Sequence, residues 1–385
     1  MPNPTANSSQ DIQNSVHLCI ATGQNAANLI PLKQLQAQHV IILETPEMKK
    51  NRSAADLKLA LKPYAKDIKV QAFDDTSPKK INASALGVAE SLDGQDVIFH
   101  VTGGTKLMVL SLYDNLKLLA SGKGTLRSVY TDTTNQMLDW LGTDVRQEPM
   151  KEHLTLKDLL LVRGYQMAND ARPSKNRGKA EERAKLTTFM GNNAKSLGGF
   201  FSTLAYLANS CEHGRLQQSF DYPPGGPASD LLKMANEQGL LQWKRGQLEI
   251  EFSDMDSAKF FAGGWAEELV FLKMSMFKAE QYGTNIQIEQ RHSQIRNEID
   301  AMAVKNNRAL VVECKSGRQV KAQESIYKLK QVVGQVGGLV AKGLYVSAQR
   351  VGQADRDRAK EYHIDVLAGE ELKDLSDYIR AWAKI

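Results

Sequence analysis

Across the first 130 residues, short β-prone runs alternate with helical patterns, and that alternation leaves few folds open. Val16 to Ala21, Val40 to Leu43, Ile68 to Phe73, Val97 to Val101 and Ser128 to Tyr130 read as strands. Between them, Ala26 to Gln38, Ser53 to Ala65, Pro78 to Leu92 and Lys106 to Leu119 carry helical patterns. Such alternation predicts an α/β fold with a mostly parallel sheet and helices on both faces. Ligands of these sheets bind beyond the carboxyl ends of the strands. Two of those ends carry small polar residues: Thr22-Gly23-Gln24-Asn25 with Asn28 after the first strand, and Thr102-Gly103-Gly104-Thr105-Lys106 after the fourth. The second runs straight into a helix. Paired glycines let backbone amides approach a phosphate, a helix N-terminus adds partial positive charge, and Lys106 adds a full one. Neither the P-loop nor the Gly-x-Gly-x-x-Gly pattern is present. Taken alone, a Gly-Gly-Thr-Lys turn is more often a tight strand-to-helix connection.

A second pattern lies between Glu298 and Lys315. Met302 to Val304 and Ala309 to Val312 read as strands joined at the turn-prone Lys305-Asn306-Asn307-Arg308. A four-residue hairpin loop sets Val304 against Ala309 and Met302 against Val311, so Asp300 falls opposite Glu313. Cross-strand partners have Cβ atoms roughly 5 Å apart, which puts both carboxylates on one face. Lys315 lies two residues beyond Glu313, and the strand period brings its ammonium to the same face. Two acids and a lysine there can hold a divalent cation, Mg²⁺ or Mn²⁺, which favours carboxylate and water oxygens. The plain alternative is an exposed cross-strand ion pair. Glu298, opposite Lys315 in this register, reads as an ion-pair partner rather than a third ligand. Trp265 to Phe271 before the hairpin reads as a helix bearing Glu267 and Glu268, either of which could face it. Ser325 to Leu339 reads as a helix bearing Lys328, Lys330 and Gln331, and Gly343 to Ser347 as a further strand.

Length and charge set the limits. A chain of 385 residues exceeds one usual core, so two or three domains are expected. Between residues 271 and 360, 16 Lys and Arg stand against 8 Asp and Glu, a local +8 that favours a polyanionic partner. Cys19, Cys211 and Cys314 are widely spaced and odd in number, which argues for buried thiols in a reducing cytoplasm and against a disulfide framework. No stretch approaches the roughly 20 apolar residues of a membrane helix. Met1 to Asn14 reads as a loose polar tail rather than a signal peptide. In the middle, Leu154 to Met167 reads as helical and Asp170 to Lys185 as a charged linker or mobile loop. Phe200 to Ser210 and Ser229 to Gln238 read as amphipathic helices, and Gln238 to Phe252 as a β-hairpin. Helices followed by a hairpin suggest a winged-helix module. The would-be recognition helix carries Lys233 against Asp230 and Glu237, so a spacer or dimer element fits better than a DNA reader.

Helix, acid-bearing hairpin, helix and strand in that order resemble the core of the PD-(D/E)xK nucleases. On that resemblance Asp300 and Glu313 are metal ligands, Lys315 is the catalytic lysine, Glu267 is a helix-borne acid and Gln331 a late-helix accessory. Ile299 stands where the family pattern has proline, a common departure. The two loops of the N-terminal sheet, together with this downstream motif, resemble the CRISPR-associated Rossmann-fold (CARF) sensors of type III CRISPR systems. The whole chain is similar to CARF and PD-(D/E)xK fusion nucleases activated by cyclic tetra-adenylate. The likeness is good at both ends and loose in the middle. It implies a sensor over 1–148, a helical linker with a winged-helix-like module over 149–262, and a restriction-endonuclease-like α/β domain over 263–385. It implies that Thr22, Gly23, Gln24, Asn25, Thr102, Gly103, Gly104, Thr105 and Lys106 line a cyclic nucleotide pocket across the two-fold axis of a cytoplasmic homodimer. The implied activity is metal-dependent cleavage of single-stranded RNA, single-stranded DNA or both, with nicking of duplex DNA also open. Two other readings stay open: a ligand-responsive winged-helix regulator without catalysis, and a constitutive repair or restriction nuclease.

Overall fold

A computed structural model describes residues 9–119, 124–142, 145–151, 153–169, 177–212, 215–293, 295–317 and 321–384. It divides into two compact units. The first comprises residues 1–166, 290–294 and 336–340; the second comprises 167–289, 295–335 and 341–385.

In the first unit, α1 (Ser9–Asn14), β1 (Val16–Ile20), α2 (Ala26–Gln34), β2 (His39–Glu44), α3 (Pro46–Lys50), α4 (Ser53–Leu61) and β3 (Asp67–Ala72) are followed by α5 (Pro78–Ser91), β4 (Val97–His100), α6 (Lys106–Leu119) and β5 (Leu126–Asp132). The sheet order is β3-β2-β1-β4-β5, all parallel, as the strand–helix alternation requires. The connection reverses direction between β1 and β4, so the two polar loops lie side by side at the switch point where such sheets take ligands. Two antiparallel strands, β6 (Met137–Leu141) and β7 (Arg146–Pro149), extend the sheet beyond β5. The strand–helix alternation of the sequence does not predict them. Leu18, Ile20, Phe99, Val88 and Leu112 pack on one side of the sheet, Ile98, Val129, Leu138 and Trp140 on the other. The second side also buries two imidazoles. His17 Nδ1 lies 2.9 Å from His100 Nε2, and His17 Nε2 lies 2.9 Å from the Ile12 carbonyl.

Three expectations are corrected. The tail ends in a helix, α1, because Ile12 packs on the Trp140 cluster and its carbonyl meets His17; residues 1–8 lie outside the described residues. The Leu154–Met167 stretch is helical only as α7 (Leu156–Val162), which stops at Gly164 with φ +78°; Tyr165–Met167 continues as strand β8. Arg177–Asn192 is a helix, α8, rather than linker, and 170–176 lie outside the described residues. Its charged residues are good helix formers, and its few apolar ones, Ala180, Leu186 and Met190, are buried.

The second unit continues with α9 (Ala194–Asn209), β9 (Gln217–Ser219), α10 (Pro227–Glu237), β10 (Leu241–Gln242), β11 (Glu249–Phe252) and α11 (Met255–Lys259). The helices are followed by the β10–β11 hairpin, with β9 pairing to β11 as a third strand. A kinked stretch, Phe260–Gly264, in which Gly263 leaves the helical conformation, leads into α12 (Trp265–Met274). Then come β12 (Tyr282–Gln290), β13 (Arg296–Lys305), β14 (Arg308–Lys315), α13 (Ala322–Val336), β15 (Ala341–Ser347), α14 (Gln353–Glu361), β16 (Ile364–Ala368) and α15 (Leu375–Lys384). The sheet order is β16-β15-β14-β13-β12-β8, with β14, β15 and β16 parallel and the hairpins antiparallel. Ala301, Ala303, Leu310 and Val312 pack under α12 and α15 in one apolar core with Leu269, Phe271 and Ile379.

Candidate functional site

The β13–β14 hairpin sets the register of the site. Met302 pairs with Val311 and Val304 with Ala309, as the hydrophobic pattern predicts. The turn is tighter than a four-residue loop, because Lys305 pairs with Arg308 and only Asn306 and Asn307 remain. Both asparagines have positive φ, 49° and 58°, the conformation a two-residue hairpin needs and one that asparagine tolerates. The ladder runs to the pair Ala301–Val312, beyond which Asp300 and Glu313 follow on the next rung.

Both carboxylates are buried, Asp300 at 8% exposure and Glu313 at 4%. Asp300 Oδ2 accepts a hydrogen bond from the Cys314 amide at 2.7 Å. Lys315 Nζ lies 2.6 Å from Glu313 Oε1 and 3.6 Å from Asp300 Oδ2. Burial pulls the Lys315 ammonium down, but the two carboxylates outweigh it and hold the group above the usual lysine range. The lysine therefore stays charged.

Helix α12 brings a third acid. Glu267 and Glu268 are neighbours about 100° apart around the helix, so they face different ways. Glu268 turns to α8, where Arg183 pairs with it at 2.9 Å and Thr187 Oγ1 donates to it at 2.8 Å. Glu267 turns to the hairpin: burial, then the Asp300 and Glu298 charges, push its carboxyl up to about 7. Lys315 and a hydrogen bond from Asn285 on β12 only partly offset this. Glu298 is exposed, and among the described residues the Lys315 ammonium pairs with Asp300 and Glu313 rather than with it. Gln331 is exposed on α13, and among the described contacts none joins it to the acids.

Two neighbours were not assigned from sequence. Lys328, on the first half of α13, places its Nζ 3.6 Å from Glu313 Oε2, so each oxygen of that carboxylate faces a cation. Tyr345 lies beside Glu313 in the parallel β14–β15 register and its phenol is raised, first by burial. The signal for Lys328 was its place in the helix after the hairpin; for Tyr345 it was the strand period linking it to Ser347.

At the switch point of the first unit, Gly103 packs so tightly on the end of β1 that a Cβ there would come 2.4 Å from the Ile20 carbonyl oxygen. Gly104 takes φ +84°, a conformation side chains resist. Thr105 Oγ1 accepts from the Met108 amide at 3.3 Å at the start of α6, and Thr102 Oγ1 accepts from the Thr131 amide at 2.7 Å. Gly104, Thr105 and Lys106 are exposed at the head of that helix, a ready anion site. In the partner loop, Asn25 is buried; its Oδ1 accepts from the Thr22 amide and Asn28, and its Nδ2 donates to the Ser53 carbonyl. It shapes the loop rather than facing outward. Thr22 Oγ1 accepts from the Gln24 amide, and Gly23 is open, with nothing within 4 Å of where a Cβ would stand. Gln24 Oε1 accepts from the Leu339 amide at 3.4 Å within the same unit.

Residues 16–159 match the family described as the Card1 CARF domain, and residues 254–385 the family described as the Card1-like endonuclease domain. The chain is similar to the solved structure of Can2 from Sulfobacillus thermosulfidooxidans in complex with cyclic tetra-adenylate, at 19% identity over 98% of this chain and 99% of that one, TM-score 0.79. It is similar to protein VC1899 from Vibrio cholerae at 21% identity over 96% and 98%, TM-score 0.82. It also resembles a type III CRISPR defence DNA nuclease activated by cyclic oligoadenylate, at 18% identity over 91% of this chain and 47% of that one, TM-score 0.50. At such identities the likeness shows a shared fold. No curated protein matches the chain.

Proposed function

We propose that this chain, which joins a Card1 CARF domain to a Card1-like endonuclease domain, is an endonuclease switched on by cyclic tetra-adenylate and acting in type III CRISPR defence. Its substrate is single-stranded RNA or DNA, and its working form is a cytoplasmic homodimer in which two copies of the switch-point loops meet one two-fold ligand. The middle of the chain, 149–262, serves as a spacer or dimer element. Among the described residues no helix is long and apolar enough to cross a membrane.

The observation that carries the reading is the meeting of Asp300, Glu313 and Lys315 on one face of the hairpin, with Glu267 turned toward them. The donor set fits Mg²⁺ or Mn²⁺. Such ions need only one or two protein carboxylates, with water and substrate phosphate supplying the rest. Burial first, and then the nearby Asp300 and Glu298 charges, raise the Glu267 carboxyl beside the Asp300 and Glu313 pair.

Asp300 and Glu313 would hold the cation, and Glu267 borders the same space. Bound there, a divalent cation supplies Lewis-acid polarisation of the phosphoryl oxygen and a water of lowered pKa. Lys315, held charged by its two neighbours, stabilises the negative charge that grows on the phosphorus oxygens. The Cys314 amide fixes the Asp300 carboxylate in place for that task. At the sensor, Gly104, Thr105 and Lys106, exposed at the head of α6, meet a phosphate of the cyclic nucleotide. Ligand that makes more contacts in one arrangement than in another shifts the population toward it.

The test incubates purified protein with Mn²⁺ and labelled single-stranded RNA and DNA, with no activator or with cyclic tri-, tetra- or hexa-adenylate. Cleavage should require the tetramer. Glu313→Gln should lose cleavage while still binding the activator. Equal cleavage without any nucleotide selects the constitutive nuclease, and specific duplex binding without cleavage selects the regulator.

A further inference from the structure

A cavity of about 690 Å³ opens beside Glu267, within the second unit. Ligand pockets run to about 300–1,000 Å³, so this one is large enough for a nucleotide. Its walls come from α8, from the stretch between Asp256 and Gly264, from α12 and from β12. Glu267 belongs both to this wall and to the acid cluster of the hairpin, and Asn285, which hydrogen-bonds to it, lines the cavity too. The cavity therefore adjoins the acid cluster of the hairpin.

The lining suits a nucleotide. The Arg183 guanidinium, paired with Glu268, lies over the Phe260 ring at 4.8 Å from its centroid and lines the cavity as a planar group against which a base can stack. Asn285 offers an amide edge for hydrogen bonding. Lys179 and Lys259 stand exposed at the rim, placed for phosphates. Asp256 lies 3.1 Å from Lys179 and 3.5 Å from Arg183, where it occupies both cations much as a phosphate would.

We propose that this cavity is a subsite for one unpaired nucleotide flanking the scissile phosphate, with its base against Arg183 and Asn285 and its phosphate at Lys179 and Lys259. A base held in a duplex has its edge paired and its faces stacked, so it cannot enter. The cavity thus selects single strands. The proposal rests on the nuclease reading above.

The test uses full-length protein with cyclic tetra-adenylate, Mn²⁺ and a single-stranded oligonucleotide cut at one place. Lys179→Ala and Lys259→Ala should each raise KM several-fold with kcat nearly unchanged. Each should also lower the log–log dependence of KM on salt by about 0.7, one phosphate contact on a single strand. Asp256→Asn, which frees Lys179 while Arg183 keeps Glu268, should lower KM. In the wild type, removing the base from one nucleotide beside the cut should reduce kcat/KM about tenfold, the equivalent of one stacked base. These side chains lie at the solvent-facing rim, so opposite shifts in KM are not a folding artefact, and thermal melts check this. Normal cleavage with KM and salt dependence unmoved by all three variants, or with every abasic position tolerated, overturns the subsite alone. A wild-type chain that cuts no strand overturns the nuclease reading and the subsite with it.

Discussion

Acid should destabilise the first unit through its buried imidazole pair. A carbonyl can only accept, so the contact with Ile12 places a proton on His17 Nε2; His17 Nδ1 then accepts from His100 Nε2, and both rings are neutral. His17 falls from 6.5 to about 4, chiefly through burial, with the Arg127 charge working in the same direction against the Ile12 hydrogen bond. His100 is lowered as well, first by burial. A folded-state value below the unfolded one means that the unfolded chain takes the proton first. Stability is therefore full above the unfolded value and is lost as pH falls through the window from 6.5 to about 4. Within that window each step of one in pH costs about 1.4 kcal/mol, so going from pH 7 to pH 5 removes about 2 kcal/mol through His17 alone, with His100 adding to it. For a unit of this size that is a fall in Tm of about 4–8 °C. The assay is calorimetry of wild type and His17→Gln/His100→Gln at both pH values, following the transition of the first unit. Comparing the two proteins separates the imidazoles from Asp56, whose raised carboxyl acts with the opposite sign. An equal fall in Tm in the double variant would refute the reasoning.

Lys315→Met should reduce kcat by on the order of 10²–10³, measured by single-turnover cleavage, with activator affinity unchanged. Lys328→Met should reduce it less, roughly tenfold at most, because that side chain is 50% exposed and its charge is screened. Gly103→Ala should weaken cyclic tetra-adenylate binding in calorimetric titration and destabilise the first unit by about 1–3 kcal/mol, since its Cβ meets the Ile20 carbonyl; Gly23→Ala, with open space around it, should fold normally. Asp56→Ala strands the guanidinium of Arg291, which pairs with the buried Asp56 carboxylate, and should lower stability by about 3 kcal/mol in urea titration.

Much of the acid-bearing hairpin was legible because two local rules agree there. Alternation of Met302, Val304, Ala309 and Val311 permits one register, and Asn306-Asn307 supplies a turn compatible with it. The parallel sheet was legible for a similar reason, since Val- and Ile-rich runs separated by helical patterns leave little choice of topology. What the sequence hid depends on tertiary packing. Helix α8 reads as linker because its charged first half carries little apolar periodicity, and it is held by contacts such as Gly191 against Leu269 on α12. Strand β8 is three residues long and exists because its chain lies along β12. The choice between Glu267 and Glu268 depends on helix rotation, which Arg183 and Thr187 settle by engaging Glu268. Strands β6 and β7 escaped because they follow no helix and so break the alternation that revealed the others.

The first compact unit is discontinuous in the chain. It takes in 290–294, at the end of β12, and 336–340, at the end of α13, although both lie far downstream of its sheet. Asp56 finds Arg291 and His292 there, and Gln24 finds Leu339. A fragment truncated after residue 166 would consequently lack the arginine that pairs with Asp56 and the amide that steadies Gln24. No single cut of the polypeptide yields an intact half, so reconstitution from two separately expressed pieces should need both to be present while they fold.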